Sequence, residues 1–439
     1  MSAVAGLPSL SAHRGALLHF SGDPGPDDDA TAYQYLEDGL LLIADGRIAA
    51  CGPAAALLPT LPRDLAVTQH GAQRLLMPGF IDTHIHFPQT DMIASGGRQL
   101  LDWLNDYTFP VEARFADLAH ARDVASFFVD ELMRNGTTTA QVFCSVHAAS
   151  VDGFFGVVRE RGLRMIAGKV LMDRNCPDSV RDTAESGERD TRALIERWHG
   201  VDRLAYAITP RFAPTSTEAQ LDSAGRIARD HPDVYIHSHL AENHGEIAWV
   251  RQLFPWSAGY LDVYERYGLL RERATYAHCL HLSADERRRL GASGACAACS
   301  PTSNLYLGSG LFDFDASDAA GLRYALATDV GGGTSFSQLR TMAEAYKVAQ
   351  MQGQRLPALR AFYLATLGGA RALHLQDRIG SFRVGNEADF IVLDWSTTPL
   401  MQRRIAATQR LDEKLLALMM LGDDRLVAQT YILGQAVLP

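Results

Sequence analysis

Between Met77 and Gly380 short apolar segments alternate with longer stretches of helical periodicity, and this alternation restricts the chain more than any other feature. The apolar segments are 80–86, 138–143, 164–171, 203–209, 234–239, 274–278, 295–299 and 322–328. Parallel strands need a crossover of a dozen or more residues, usually a helix, so strands at this spacing specify βαβ units. Eight such units over about 300 residues are the arithmetic of an α/β (β/α)8 TIM-type barrel, whose functional side chains sit at the C-terminal ends of the strands. Helix ends are legible as well. From about Phe115, Leu118, Ala121, Ala125, Phe128, Val129 and Leu132 recur at helical spacing up to Asn135-Gly136, a stop signal. Thr215 with Glu218, and Ser283 with Glu286, have the spacing of a capping box.

The two ends of the chain read differently. Segments 40–44 and 47–51 flank Asp45-Gly46, a dipeptide suited to the two-residue turn of a hairpin. In the tail, 388–395 reads as a strand and 427–433 with 436–438 as a hairpin around Gly434-Gln435. We expect a small β-sandwich domain from residues 1–76 plus 384–439, enclosing a barrel over 77–383. Composition narrows the function. Among 439 residues, 47% are hydrophobic and 21% charged, enough for a large core. The net charge of −10, with no lysine or arginine run that stands out, argues against a phosphate-tracking nucleic-acid surface. Six scattered cysteines read as reduced thiols rather than a disulfide framework. No basic segment precedes a long apolar one at the start, and no stretch reaches the about 18 apolar residues of a membrane span. The expectation is a cytoplasmic enzyme without a membrane partner.

The chemistry-bearing residues fall at strand ends. His84 and His86 close the first barrel strand, and residues i and i+2 of a strand face the same way, so both imidazoles can reach one ion. His239 ends the fifth strand with Glu242 three residues on, His278 ends the sixth, and Asp329 follows the eighth. A divalent ion held by imidazoles and a carboxylate lowers the pKa of water to about 7. Asp329 can take the water's proton, and Glu242 can carry protons to substrate and leaving group. The set is that of metal-assisted hydrolytic attack on an electrophilic carbon.

Pro78-Gly79-Phe80-Ile81-Asp82-Thr83-His84-Ile85-His86, His239-Leu240-Ala241-Glu242, His278 and Asp329 resemble the amidohydrolase superfamily, and the β-rich ends resemble its small composite domain. Two-metal members carry a carboxylated lysine at the end of the fourth strand. Segment 203–209 has no lysine, and Lys169, on the third strand, reads as structural, so one metal follows. Within the superfamily the chain is similar to the guanine deaminase family. The motifs are His86-Phe87-Pro88-Gln89, Leu100-Leu101-Asp102-Trp103-Leu104-Asn105, Thr209-Pro210-Arg211-Phe212, Pro301-Thr302-Ser303-Asn304 and Thr328-Asp329-Val330-Gly331-Gly332-Gly333.

That resemblance implies hydrolysis of guanine to xanthine and ammonia, and a homodimer. It implies one Zn2+ per chain on His84, His86, His239 and Asp329, with His278 close to the metal. Imidazole and carboxylate ligands leave zinc and iron both open. It also implies catalytic roles for Glu242, Asp329 and His278. Arg211 would donate to the O6/N7 edge, Gln89 would read the N1/amine side, and Phe212, Leu100 and Trp103 would wall the ring. At position 237 the resemblance leads one to expect glutamine, whereas the chain has His237, which strand alternation places deeper on the face of His239. Segments 301–310 and 331–333 read as loops over the barrel mouth. Within the superfamily the alternative is another one-metal aminohydrolase, acting on an adenosine-like nucleoside, cytosine or a triazine. A non-catalytic scaffold would have lost ligands, and here every position is filled. A cytidine-deaminase-type site is echoed by His244-Gly245-Glu246 and Cys296-Ala297-Ala298-Cys299, but Ala295 stands where proline is required and the order of elements is wrong.

Overall fold

The computed structural model of the protein describes residues 10–96 and 99–437. The first nine residues, on which the leader reading partly rests, and Leu438, at the end of the last expected strand, lie outside the described residues. The strands begin with β1 Leu10–Phe20, β2 Tyr33–Ala44, β3 Arg47–Pro53, β4 Val67–Gln69 and β5 Arg74–Pro78. There follow β6 Phe80–His86, β7 Thr137–Phe143, β8 Arg164–Gly168, β9 Val170–Leu171, β10 Leu204–Pro210 and β11 Tyr235–Leu240. The series closes with β12 Ala274–His278, β13 Cys296–Cys299, β14 Arg323–Leu326, β15 Phe390–Asp394, β16 Val427–Ile432 and β17 Gln435–Val437.

The chain divides into two compact units. One takes in the described residues up to Ile81, then 132–138, and those from Leu356 onward. Its sheet has the order β17-β16-β15-β5-β1-β2-β3, with β4 beside β1. Leu17, Leu41, Leu76, Phe390 and Val392 share its core. Asp45 and Gly46 turn with φ of 49° and 75°, as a two-residue hairpin of this type demands. The second hairpin corrects our reading by one residue. Ile432 pairs with Gln435, so the turn is Leu433-Gly434 rather than Gly434-Gln435. Leu433 is held at φ 48° where its N–H donates to Asp389 Oδ1 at 2.9 Å.

The same unit buries a histidine pair. His13 Nδ1 lies 3.1 Å from His70 Nε2, and the two rings stack. Burial, and then competition with His70 for His13 and the Arg74 charge for His70, pulls both imidazoles from 6.5 to about 4. They fold neutral, while an unfolded chain protonates them below about pH 6.5. Stability contributed by the pair is therefore complete above pH 6.5 and is lost as the pH falls toward 4. We expect the urea midpoint to drop between pH 7 and pH 5, and the drop to be smaller in His70→Gln, the remainder coming from the other histidines that burial holds neutral. An unchanged pH slope in the variant would count against the pair.

The second unit comprises residues 82–131 and 139–355. The parallel barrel sheet has the order β14-β13-β12-β11-β10-β8-β7-β6, with β9 on β10, which is sequence order around a nearly closed (β/α)8 barrel. Its first and last strands meet through side chain and backbone: Thr83 Oγ1 donates to Leu326 O at 3.0 Å, and His86 N to Val330 O at 2.9 Å. Every residue of β6 and β7 is buried, as expected when helices cover one sheet face and side chains fill the barrel. Phe87, just beyond β6, packs against Phe115 and Phe154, with both ring centroids at 5.1 Å.

Several local expectations shift here. Segment 164–171 is interrupted, because the Lys169 N–H donates to the Tyr206 hydroxyl instead of joining the ladder. The helix cap expected at Thr215 is Thr217, which accepts from Gln220 N and is itself pinned by Asp173. Thr215 closes a short turn, Ala213–Thr215. Ser283 with Glu286 forms the capping box. The helix Leu118–Arg134 buries Ala121, Ala125, Phe128, Val129 and Leu132, but Leu118, in its first turn, is 47% exposed. Residues 301–310 are not all loop, since Pro301–Tyr306 is helical.

Candidate active site

The alternation of β6 turns His84 and His86 to one side, β11 brings His239, and Asp329 follows β14. His86 Nε2 lies 3.1 Å from His84 Nε2 and 3.2 Å from His239 Nε2. Asp329 Oδ1 is 3.1 Å from His84 Nε2 and 3.4 Å from His86 Nε2. One ligand atom from each of the four falls within 4.8 Å of all the others. Burial, the largest influence on each imidazole, lowers all three, His86 to about 4, so they favour the neutral form that binds metals. His239 Nδ1 donates to the Arg211 carbonyl at 2.7 Å, which leaves the Nε2 lone pair bare. Bare, desolvated nitrogens crowded around one carboxylate oxygen repel one another unless a cation stands among them. The donor set fits a divalent metal.

Around this cluster the backbone is held in uncommon conformations. His278 and Asp329 have φ of 70° and 51°, in the left-handed region that non-glycine residues rarely enter and that clusters at functional sites. Asp329 is secured by its N–H on the His84 carbonyl at 3.0 Å. His278 Nδ1 donates to Asn304 Oδ1 at 2.8 Å, so its Nε2 faces Glu242 Oε2 at 3.4 Å and Asp329 Oδ2 at 3.8 Å. Ser309 Oγ donates to Glu242 Oε1 at 2.8 Å, leaving Oε2 as the free oxygen. Burial first, and then the Asp329 charge, push the Glu242 carboxyl up to about 8. A second buried carboxylate, Glu246, accepts from the Glu242 N–H at 2.9 Å and from Tyr260 at 2.6 Å, which fixes the backbone that carries Glu242.

Beside the cluster is a pocket. Gln89, Leu100, Trp103, Arg211 and Phe212 all line it, together with His278 and Glu242. Leu104, which stands in a quoted motif, and Leu307 and Gly332, which stand in the segments expected over the barrel mouth, line it too. Trp103 is aimed by its indole N–H on the Ser95 carbonyl at 2.6 Å.

Sequence reasoning missed other residues. Phe143, at the end of β7, presses its ring on the imidazoles of His84, His86, His237 and His239 at 4.4 to 5.1 Å between centroids. It is the apolar backing of the cluster. Glu112 joins Arg211 and Gln89 from a helix far along the chain. Asn304 stands in a quoted motif and Ser309 in segment 301–310, yet nothing there says what they hold. His237 lies deeper, as alternation indicates, with Nε2 2.7 Å from His84 Nδ1, so it touches a ligand histidine from behind. Lys169 pairs with Asp182 and donates to the Val170 carbonyl. Cys296 and Cys299 are free, buried residues of β13. Glu246 caps the helix His244–Leu253 in a capping box with Asn243.

Residues 75–437 match the amidohydrolase family. The chain is 48% identical over 435 residues to the guanine deaminase of Escherichia coli K12, covering 99% of both chains. A solved structure of Escherichia coli guanine deaminase superposes with a TM-score of 0.95 over 98% of this chain and 99% of that one. The guanine deaminase of C. acetobutylicum, solved with bound guanine in the active site, superposes at 0.88 with 28% identity, over 98% of this chain and all of that one. No helix among the described residues is long and apolar enough to cross a membrane. A His/Asp cluster fit to hold a metal ion, a (β/α)8 barrel and full-length likeness at high identity converge, and the chain belongs to the amidohydrolase family, in its guanine deaminase branch.

Proposed function

We propose that this protein hydrolyses guanine to xanthine and ammonia in the pocket beside the four-ligand cluster. The observation that carries the reading is that this cluster and the Gln89–Arg211 pair open onto the same pocket. His84, His86, His239 and Asp329 would hold one Zn2+, an ion with affinity for both imidazole and carboxylate. Such an ion, when bound, lowers the pKa of water to about 7 and so supplies hydroxide at neutral pH.

The chain's own groups do the rest. Arg211 donates to the O6/N7 edge and Gln89 meets N1–H and the exocyclic amine, with Phe212, Leu100 and Trp103 against the ring faces and rim. Asp329 accepts the proton released by the attacking water. Glu242, still protonated at neutral pH, gives its proton to N3 as oxygen adds to C2, so the electron pair of the C2–N3 double bond has a destination. His278 presents Nε2 to the added oxygen and stabilises the charge that develops there. Glu242, now a carboxylate, takes the proton of the added oxygen and passes it to the exocyclic nitrogen, the C2–N bond breaks toward nitrogen, ammonia leaves with C2 as a carbonyl, and the proton on Asp329 passes back to Glu242. The reading extends to a cytoplasmic homodimer, supported by the family resemblance and, for the compartment, by six free cysteines.

The test is ultraviolet-monitored turnover by purified, metal-analysed protein on guanine, adenine, cytosine, adenosine and melamine. We expect turnover of guanine at about one zinc per chain. Metal-replete protein inert toward guanine would overturn the substrate and direct the search to other amino-heterocycles.

A further inference from the structure

We infer that Glu112 is a positioning residue that makes the pocket accept the donor–acceptor order of guanine's edge and reject the inverse order, an inference that rests on the guanine reading above. Glu112 ends the short helix Phe109–Glu112 and is fully buried. Its Oε2 accepts from Arg211 Nη1 at 2.7 Å and its Oε1 from Gln89 Nε2 at 3.0 Å. At the other end of the Gln89 amide, Oε1 accepts from the Gly331 N–H at 3.2 Å. That N–H comes so close because residue 331 is glycine, since a Cβ there would lie 2.8 Å from the Gln89 carbonyl oxygen.

These contacts fix a group that is otherwise free to turn. An amide can present its oxygen or its nitrogen, and the two ends differ in the sign of the hydrogen bond they make. A carboxylate only accepts, so it requires the Gln89 nitrogen, and the Gly331 N–H only donates, so it requires the oxygen. Turning the amide would set oxygen against carboxylate and N–H against N–H, both desolvated, because Gln89 is 2% exposed. The same carboxylate anchors one arm of the Arg211 fork, which also lies over the Phe109 ring at 5.4 Å. The pocket thus holds a fixed acceptor on Gln89 beside fixed donors on Arg211, and Glu112 is the residue common to both.

Guanine presents O6 as an acceptor and N1–H as a donor. The isosteric purine 2,6-diaminopurine presents a 6-amino donor and a bare N1 acceptor, while keeping the same 2-amino leaving group on C2. Both lose the same 2-amino group from C2, so the change in their ratio from one variant to another isolates this effect from the intrinsic reactivity of each substrate. With Glu112 intact, the diamino compound meets acceptor with acceptor and donor with donor. Once Glu112 no longer demands the nitrogen, the Gln89 amide can turn and serve the inverse edge.

The experiment measures kcat/KM for guanine and 2,6-diaminopurine in the zinc-loaded parent, in Glu112→Gln and in Glu112→Asp. The E112Q amide offers either end to Gln89, and we expect the guanine preference to shrink at least about tenfold, guanine losing through KM more than through kcat. E112D keeps the charge that Arg211 needs, and so retains the fold even where E112Q does not. Its shorter reach leaves Gln89 less constrained, and the preference shrinks by a smaller factor. Adding E112Q to Gln89→Met, which has no amide to turn, changes the preference no further. A preference within about twofold of the parent in every folded variant, with both substrates falling together, would make Glu112 a mere counterion and overturn the inference. A parent inert toward guanine would instead defeat the reading beneath it.

Discussion

Glu242→Gln turns over guanine roughly a thousandfold more slowly than the parent, or less still, while keeping its full metal content. The expectation follows from the one feature the substitution removes. Glutamine matches the volume of glutamate and can still accept from Ser309 at the position of Oε1, so packing and the hydrogen bond at 2.8 Å survive. It has no proton to transfer. Burial and the nearby Asp329 charge hold the Glu242 carboxyl up to about 8, so at neutral pH the parent residue is an acid in place before substrate arrives. The sign of the pH dependence follows. A group that must be protonated works fully below its pKa, so the activity governed by Glu242 falls as the pH rises through about 8. The measurement is kcat and metal stoichiometry of both proteins on guanine, with a pH profile of the parent. A variant within about tenfold of the parent, at equal metal content, would remove Glu242 from the proton path.

Stripping the protein with a chelator takes turnover to background, and added Zn2+ restores it in the parent but not in His239→Ala. His239 is the ligand histidine whose tautomer is set by a main-chain carbonyl, that of Arg211, so its loss removes a pre-oriented nitrogen as well as a ligand. It also removes one wall of the cluster that Phe143 backs. Metal that binds only the folded state stabilises it, by about 2.7 kcal/mol at a free concentration one hundred times Kd, so zinc raises the unfolding temperature of the stripped parent. In H239A the shift is much smaller at the same zinc concentration. Turnover by a fully stripped parent, or zinc rescue of H239A to parental rate, would refute the ligand assignment.

Much of this molecule is legible in its residues. β6 and β12 fall on their expected ranges, and β7, β10 and β11 are displaced by a residue at one or both ends, because buried parallel strands are short apolar runs and their helices carry a strong period. The ligand cluster is equally readable. His84 and His86 are separated by the strand period, and His239 and Asp329 follow apolar runs, so each announces a strand end even though the four lie far apart in sequence. Local competition accounts for the misplaced boundaries. Thr215 and Thr217 both suit a helix cap, and the choice went to the one that Asp173 reaches. Leu433 occupies a turn position that its own type disfavours, because Asp389 holds its N–H.

Sequence alone pointed to the barrel, to the cluster of His84, His86, His239 and Asp329, and to the carboxylates proposed here as proton carriers, since each depends on periodicity or on a residue type at the end of an apolar run. Tertiary structure alone decided how those groups are aimed. Nothing in Val111-Glu112-Ala113 marks a carboxylate that will meet Gln89 and Arg211, and nothing near Asn304 or Ser309 says that one will hold His278 and the other Glu242. The reason is physical. A hydrogen bond between residues tens or hundreds of positions apart leaves no trace in local periodicity, because its partners become neighbours only after the strands have closed into a barrel.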